Sequence, residues 1–171
     1  MPIEVKEKPK YAIVAAVQLP SVNDVEFQAS LTELRELAKT LGYKVVSTFV
    51  QKRSSFDATA YLGVGKRQEI RGFVHNDSEY TEYAESVVNA DNREIDVILV
   101  DHEISPSQAR NLENEIGCEV MDRTMVILEI FHRNARSRAA RAQVEIARLG
   151  YMAPRLREAA KLAGPQGRQR S

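Results

Sequence analysis

The chain has 171 residues, of which 43% are hydrophobic and 28% are charged, and both fractions are ordinary for a globular domain rather than a disordered or fibrous one. Residues 1–10 carry charges where a secretory signal needs an apolar core, and no apolar run approaches the ~20 residues of a membrane span. A single cysteine, Cys118, excludes an internal disulfide, and three scattered histidines give no metal-ligand spacing. We therefore expect a cytoplasmic protein with no membrane span and no metal.

The formal net charge of zero hides a division along the chain. Residues 132–171 contain ten of the 24 basic residues and only two of the 24 acidic ones, so this segment carries +8 and the remainder carries −8. Such asymmetry is typical of a protein that contacts nucleic acid or another acidic surface with one end only.

The first half of the chain alternates strand and helix patterns. The apolar run 11–19 is typical of a strand buried on both faces, and 43–50 has the same character. Between them, apolar residues recur every three or four positions and predict a helix that Gly42 ends; they are Phe27, Leu31, Leu34, Ala38 and Leu41. Ile70, Phe73 and Val74 predict a second helix after a polar loop. Residues 76–94 are acidic and weakly patterned, which favours a surface insertion.

The alternation continues with a buried strand at 95–100. Ser105 and Gln108 then have the spacing of a capping box around Pro106, which predicts a helix to about residue 116, and 119–121 predicts a last short strand. The whole pattern predicts an α/β fold: a small parallel sheet with flanking helices over 11–122, preceded by a flexible segment, 1–10.

The pattern changes after the predicted sheet. Residues 123–152 contain no proline, and their apolar stripe is thin in the middle, where only alanines occupy it. We predict one long basic helix that projects from the sheet as the first half of a helical hairpin, followed by a flexible basic tail or loop, 153–171. An unpaired stripe of this kind also allows self-association through the long helix.

The stretch YLGVGKRQEI, residues 61–70, resembles part of a phosphate-binding loop but fails both nucleotide fingerprints. Arg67 follows Lys66 where a P-loop needs Ser or Thr, and Gln68 stands where a dinucleotide fingerprint needs a third glycine. Two interpretations stay open: Gly63 and Gly65 serve a turn by positive φ or close backbone approach, or they form a weak anion site with Lys66.

Asp101, His102 and Ser105 invite a hydrolase interpretation, but Ser105 already has a capping role and neighbours in sequence rarely form a triad. We therefore predict no catalytic residues. Asp101 is kept as a ligand candidate because it follows a parallel strand at its carboxyl end.

The basic residues of the carboxyl-terminal segment are candidates for phosphate contact, because few acids interleave them and aromatic residues are scarce. The candidate nucleic-acid-binding residues are Arg133, Arg136, Arg138, Arg141, Arg148, Arg155, Arg157, Lys161, Arg168 and Arg170.

Three stretches together carry a family resemblance: YLGVGKRQEI, DRTMVILEIF at 122–131, and AQVEIARLGYMAPRL at 142–156. With the segment from Ser105 onward they resemble the amino-terminal region of the HflX family of ribosome-associated GTPases, over most of residues 11–157. The resemblance implies a domain that binds the large ribosomal subunit and its rRNA in an HflX-like GTP-binding protein, which rescues or splits stalled ribosomes.

The resemblance also bears on cofactors. No GxxxxGK[ST] pattern occurs among these residues, so GTP and Mg²⁺ are expected on a GTPase domain that this chain does not contain, and no cofactor on this chain. Some family members have been credited with ATP binding through this region. The alternative function is therefore a small ATP- or GTP-binding α/β domain with weak or no ATPase activity, using Arg53, Gly63, Gly65, Lys66 and Asp101.

Overall fold

The structure is a computed structural model that describes residues 8–76 and 93–163. Strands and helices alternate through the first part of the chain, and two helices follow the last strand. The elements of the described residues are β1 (Lys10–Gln18), α1 (Asp24–Thr40), β2 (Tyr43–Lys52), α2 (Val64–His75), β3 (Val97–Val100), α3 (Pro106–Ile116), β4 (Glu119–Asp122), α4 (Arg123–Asn134) and α5 (Arg138–Ala163).

The four strands form one parallel sheet in the order β2-β1-β3-β4. β1 is a central strand, and Ala12 pairs with Val45 on one side and with Val97 on the other. Its residues 12–17 are essentially inaccessible to solvent, as an apolar strand covered on both faces should be. The predicted α/β class with a parallel sheet and flanking helices is confirmed.

Each face of the sheet has its own apolar core. On one face, Ile13 and Ile98 of the sheet pack in a cluster with α2 and α3. On the other face, Val14 and Leu99 pack in a cluster with α1 and α4. The alternating direction of side chains along a strand produces this division, and helices on both faces are what a parallel sheet requires.

Local sequence signals fix the helix ends. The Ser105 side chain accepts a hydrogen bond from the Gln108 amide while the Gln108 side chain bonds back to the Ser105 amide, so the predicted capping box is confirmed. Gly117 ends α3 in the left-handed conformation, with φ of +74°. Asp122 caps α4 by accepting a hydrogen bond from the Met125 amide at 2.9 Å.

The prediction of one uninterrupted helix over 123–152 is wrong, because two helices, α4 and α5, occupy this region. α4 ends at Asn134 because Ala135 takes an extended conformation, with ψ of 121°. The Ser137 hydroxyl then accepts a hydrogen bond from the Ala140 amide and so caps the start of α5. The long helix therefore comes after a turn at 135–137.

The predicted flexible segment 153–171 is also wrong for residues 153–163, because α5 continues through Pro154 to Ala163. Proline removes one backbone hydrogen bond but does not end the helix here. The helix is held before Pro154 by the contact of Tyr151 with Asp122, and after it by the contacts of Arg155 with Asp122 and of Glu158 with Arg110. Residues 164–171 lie outside the described residues, as do residues 1–7 and most of the predicted insertion 76–94.

α5 folds back along the open edge of β4 instead of projecting from the sheet. Arg148 of α5 pairs with Glu129 of α4 at 2.7 Å, and Glu158 of α5 pairs with Arg110 of α3 at 3.0 Å. Because α3 and α4 lie on opposite faces, a helix that contacts both covers the edge strand between them. Covering an edge prevents it from pairing with another chain.

Candidate nucleic-acid interface

The structure divides the predicted phosphate-binding residues into two groups. The first group is exposed, and none of its members has an acidic partner within the described part of the chain; it consists of Arg133, Arg136, Arg138, Arg141 and Arg157. Four of these five lie at the turn between α4 and α5 or within four residues of it. We call these four the turn arginines: Arg133, Arg136, Arg138 and Arg141.

Two of the turn arginines are positioned by backbone contacts. The Arg141 Nε donates to the carbonyl of Ala135 at 3.2 Å, and Arg133 Nη1 donates to the carbonyl of Thr40 at 3.4 Å. Cations at the end of α4 also interact favourably with the negative end of its dipole. Because these contacts engage carbonyls rather than carboxylates, the guanidinium charges remain unneutralised.

The second group is paired. Arg148 lies against Glu129, whose hydrogen bond raises the pKa of Arg148 further above its ordinary value, and Lys161 lies 3.4 Å from Glu158. Arg155 Nη2 lies 3.1 Å from Asp122 Oδ2, and its guanidinium stacks 3.8 Å from the centre of the Tyr151 ring. Arg168 and Arg170 lie outside the described residues.

Asp122 is the centre of a polar cluster that the sequence did not reveal. Its buried carboxylate accepts hydrogen bonds from the Ile104 and Met125 amides, from the Tyr151 hydroxyl and from Arg155. Burial is the main cause that raises the pKa of Tyr151, so its hydroxyl stays protonated and donates. The only sequence signal at Asp122 is its position directly before a helical pattern. That position indicates a helix cap and gives no indication that another helix docks there.

A groove of about 280 Å³ remains between α5 and the covered strand. Val120, Met121 and Met125 contribute apolar surface to it, and Met152 and Leu156 of α5 face it. The docked helix therefore does not fill the space beside β4.

The glycine loop lies against polar side chains of β2 and the residue that follows it. The Gly63 amide donates to Gln51 Oε1 at 2.8 Å, and a Cβ at Gly63 would stand 2.7 Å from Arg53 Nη1. Gly65 has open space around it, and neither glycine has a positive φ. Positive φ is excluded for both glycines, and the atoms that come close to Gly63 are the ends of the Gln51 and Arg53 side chains rather than backbone atoms. Lys66 Nζ lies 2.9 Å from Glu69 Oε2, so its charge is already paired.

Arg67, the residue that breaks the P-loop pattern, holds the loop in place. Its side chain is 8% exposed, donates to the Leu62 carbonyl at 2.5 Å, lies 3.3 Å from Asp57 and pairs with Glu115 of α3. Hydrogen bonds from the backbone, with that of Ala60 the largest cause, keep the pKa of Asp57 below its ordinary value, so it remains a carboxylate. The loop is thus fastened by an arginine rather than shaped around a phosphate.

Asp101, His102 and Ser105 have separate partners and do not form a triad. Asp101 accepts from the Ser30 hydroxyl at 2.9 Å and from Arg123 at 3.0 Å. Ser105 caps α3. Of the five residues considered for nucleotide contact, the structure brings Arg53 to Gly63 but places Asp101 in a separate hydrogen-bond network with Ser30 and Arg123.

His102 belongs to a cluster with Tyr61, and no sequence pattern linked these two residues. The Tyr61 hydroxyl accepts from the Val17 amide at 2.9 Å and lies 2.6 Å from His102 Nδ1. An amide can only donate, so the Tyr61 hydroxyl is the acceptor toward Val17, and it shares a second hydrogen bond with His102 Nδ1. Burial lowers the pKa of His102.

Among residues 8–76 and 93–163, no helix combines the length and the apolar character that crossing a bilayer requires.

Comparison with known proteins identifies the class. The sequence profile of the GTP-binding GTPase N-terminal family matches residues 28–132, which is more than half of the chain. The chain therefore belongs to this family.

Individual relatives agree. The chain is 42% identical to the GTPase HflX of Gluconacetobacter diazotrophicus over 98% of its own length and 41% of the relative's, and 42% identical to the GTPase HflX of Alkalihalophilus pseudofirmus over 78% and 28%. It thus spans less than half the length of these curated relatives. A crystal structure of a GTP-binding protein from Sulfolobus solfataricus in complex with GDP superposes with a TM-score of 0.57 and 26% identity, over 90% of this chain and 40% of that one. The resemblance to the amino-terminal region of HflX is confirmed.

Proposed function

We propose that this domain binds the large ribosomal subunit through its rRNA, as the amino-terminal part of an HflX-like GTP-binding protein that associates with ribosomes and rescues or splits stalled ones. The observation that carries the proposal is the set of turn arginines, which are exposed, adjacent and without acidic partners in the described residues. Elsewhere in the described chain, several basic side chains are neutralised by carboxylates, as Lys66 and Arg123 are.

The chemistry of the turn arginines suits a phosphate backbone. A guanidinium presents five donors in a planar fork that matches phosphate oxygens, and it stays charged at any physiological pH. Aromatic side chains for base stacking are scarce around the turn, where Phe131 is the nearest exposed one. We therefore expect contacts that read RNA shape and charge more than sequence, with a steep dependence on salt.

Hydrolysis of GTP belongs, in this proposal, to another domain of the whole protein. GTP and Mg²⁺ would bind there, and these residues would supply attachment to the ribosome.

A charge-reversal experiment tests the proposal. Arg136, Arg138 and Arg141 are changed together to Glu, and binding to purified large ribosomal subunits is measured across a salt series. Loss of about three phosphate contacts should lower the affinity at least tenfold and reduce the slope of log affinity against log salt by roughly two. An affinity and slope equal to those of the unmodified domain would refute the proposal.

A matched variant controls for net charge. Lys39, Lys44 and Lys52 are exposed and lie on the α/β part, and their joint change to Glu alters the net charge by the same amount. We expect this variant to keep most of the affinity, because long-range attraction is screened at physiological salt.

Two other interpretations stay predictions. Nucleotide binding at the glycine loop has little support, since Lys66 is paired and the loop is fastened by Arg67. Self-association through α5 would appear as a dimer mass in sedimentation at high protein concentration, and a monomer mass there would remove it.

A further inference from the structure

The packing of α5 is polar. No residue of α5 whose exposure the structure describes is buried, and three of its large apolar side chains remain largely in solvent: Ile146 at 71%, Leu149 at 51% and Leu156 at 59%. The groove beside β4 is left partly empty. A helix with few buried apolar contacts belongs to the part of a protein that opens most easily.

Ion pairs and hydrogen bonds hold α5 in place. Arg148 pairs with Glu129, Glu158 with Arg110, and Arg155 with Asp122, and five of these six side chains are between about a fifth and a quarter exposed. Water reaches both partners of Arg148–Glu129 and of Arg110–Glu158, and such pairs are individually weak and are screened by salt, whereas Arg155 meets a carboxylate that is only 2% exposed. The two outer pairs therefore make the docked position sensitive to ionic strength and to competing charges.

The turn that allows docking is short, and the sequence around it does not require it. Only residues 135–137 separate α4 from α5, and the extended conformation of Ala135 makes the break. Alanine is the strongest helix former, and the stretch contains neither proline nor glycine. The helical stripe of the sequence runs through the turn without interruption, so a continuous α4–α5 helix is also compatible with the local sequence.

Docking of α5 engages two arginines that would otherwise belong to the candidate phosphate-binding surface. Arg148 and Arg155 lie among the basic residues of the carboxyl-terminal segment, but in the docked state carboxylates occupy them. In the docked state Arg155 is directed at the buried Asp122 carboxylate and Arg148 at Glu129, which is 24% exposed, so the donors used in these pairs are not available to an RNA phosphate. Docking and phosphate contact therefore compete for these two residues.

We propose that α5 is a reversible clasp: docked along β4 it withholds Arg148 and Arg155, and released it adds them to the phosphate-binding surface, so that RNA binding and docking compete. The coupling to RNA rests on the proposed function, whereas the docking equilibrium does not. By linkage, whatever loosens the clasp strengthens RNA binding, and RNA in turn opens the clasp.

Arg110→Glu is the decisive variant, because it sets two carboxylates against each other across the clasp without changing a residue of the phosphate-binding set. It lowers the net charge by two, so charge alone predicts weaker RNA binding. The clasp predicts the opposite, an affinity for large ribosomal subunits that is several-fold higher. Arg110→Glu with Glu158→Arg restores the pair and should restore the original affinity. Lys39→Glu changes the net charge equally, away from the clasp, and should give no gain.

The position of α5 is measured directly by pulsed electron paramagnetic resonance. Spin labels are placed at Asn114→Cys on α3 and Ala160→Cys on α5, both exposed, in a Cys118→Ser background. We expect one short distance at low salt, and a second, longer distance at about 1 M salt, in Arg110→Glu, and on addition of large subunits. The charge-restored double variant should return to the short distance.

The outcomes separate the two proposals. If the distance between the two spin labels changes neither with salt nor in Arg110→Glu, the clasp is refuted. A clasp that opens while the affinity of Arg110→Glu for subunits falls overturns the competition. Failure of every variant to bind subunits, with a distance that still responds to salt, overturns the proposed function and the coupling but supports the docking equilibrium.

Discussion

Replacing Arg123 with Met should test whether one guanidinium ties three elements together. Arg123 begins α4, and its Nη2 lies 3.0 Å from Asp101 Oδ1 after β3 and 2.8 Å from the Ser30 carbonyl of α1. Its Nη1 lies 2.7 Å from Glu33. The Asp101 side chain is 2% exposed and the Arg123 side chain 20%, so the substitution leaves a carboxylate largely buried with only Ser30 as a side-chain partner.

The expected cost follows from this geometry. Removing one partner of a buried ion pair typically costs about 3–5 kcal/mol. Because Arg123 is one-fifth exposed, water can enter the space it leaves, and we expect about 2–3 kcal/mol. With a urea m-value of about 2 kcal/mol per molar, the midpoint of unfolding should fall by roughly 1–1.5 M.

A double-mutant cycle provides the control. Asp101→Asn removes the stranded charge, so the double variant should be more stable than the sum of the two single losses by about 1–3 kcal/mol. Arg136→Met, at an exposed arginine without an acidic partner in the described residues, should change the free energy of unfolding by less than about 0.5 kcal/mol. A loss below about 0.5 kcal/mol for Arg123→Met, or strict additivity in the cycle, would show that the network does not stabilise the fold.

Three further predictions concern His102, two glycines and the loop lysine. Because burial lowers the pKa of His102 below its ordinary 6.5, the unfolded state binds more protons as the pH falls through that value. Stability should thus decrease from about pH 7.5 to about pH 5.5, and the urea midpoint of His102→Gln should change less over that window; an equal change would contradict the assignment. Gly117→Ala should cost about 1–2 kcal/mol in thermal unfolding because its φ is +74°, while Gly65→Ala, in open space within α2, should be neutral or slightly stabilising; equal effects would contradict this. In calorimetric titrations with ATP and GTP we expect no heat from the isolated domain, and heat that Lys66→Ala abolishes would reinstate the glycine loop as a nucleotide site.

The elements with strong local signals could be predicted from the sequence. The apolar runs of β1 and β3 and the capping box of Ser105 are short-range patterns, and the structure has them within about two residues of the expected ends. The strand order could not be read in the same way. The strand order depends on which strands pair although they are far apart in the sequence. The alternation of strands and helices predicts only that the sheet is parallel.

The docked position of α5 was not predictable because it depends on pairs between distant residues. Glu129 and Arg148 are 19 positions apart, and Arg110 and Glu158 are 48 apart, so neither pair leaves a periodic signal. The turn at 135–137 has only Ser137 as a local signal, and the uninterrupted helical pattern outweighed it. The division of the candidate phosphate-binding residues into paired and unpaired groups has the same origin. In the sequence these arginines look alike, and only the folded structure shows that Arg148 and Arg155 have acidic partners while the turn arginines have none among the described residues.

The central position of β1 has a consequence for how the domain forms during synthesis. β1 needs β3 as its second neighbour, and their pairing joins Ala12 to Val97, positions that are 85 residues apart in the chain. A nascent chain that has completed only β1, α1 and β2 therefore has a two-stranded sheet. In that sheet, the edge of the apolar strand β1 that later pairs with β3 has no hydrogen-bonding partner strand. Parallel pairing over such separations is slow, and exposed intermediates aggregate. We expect the first half of this domain to depend on the timely emergence of β3 from the ribosome.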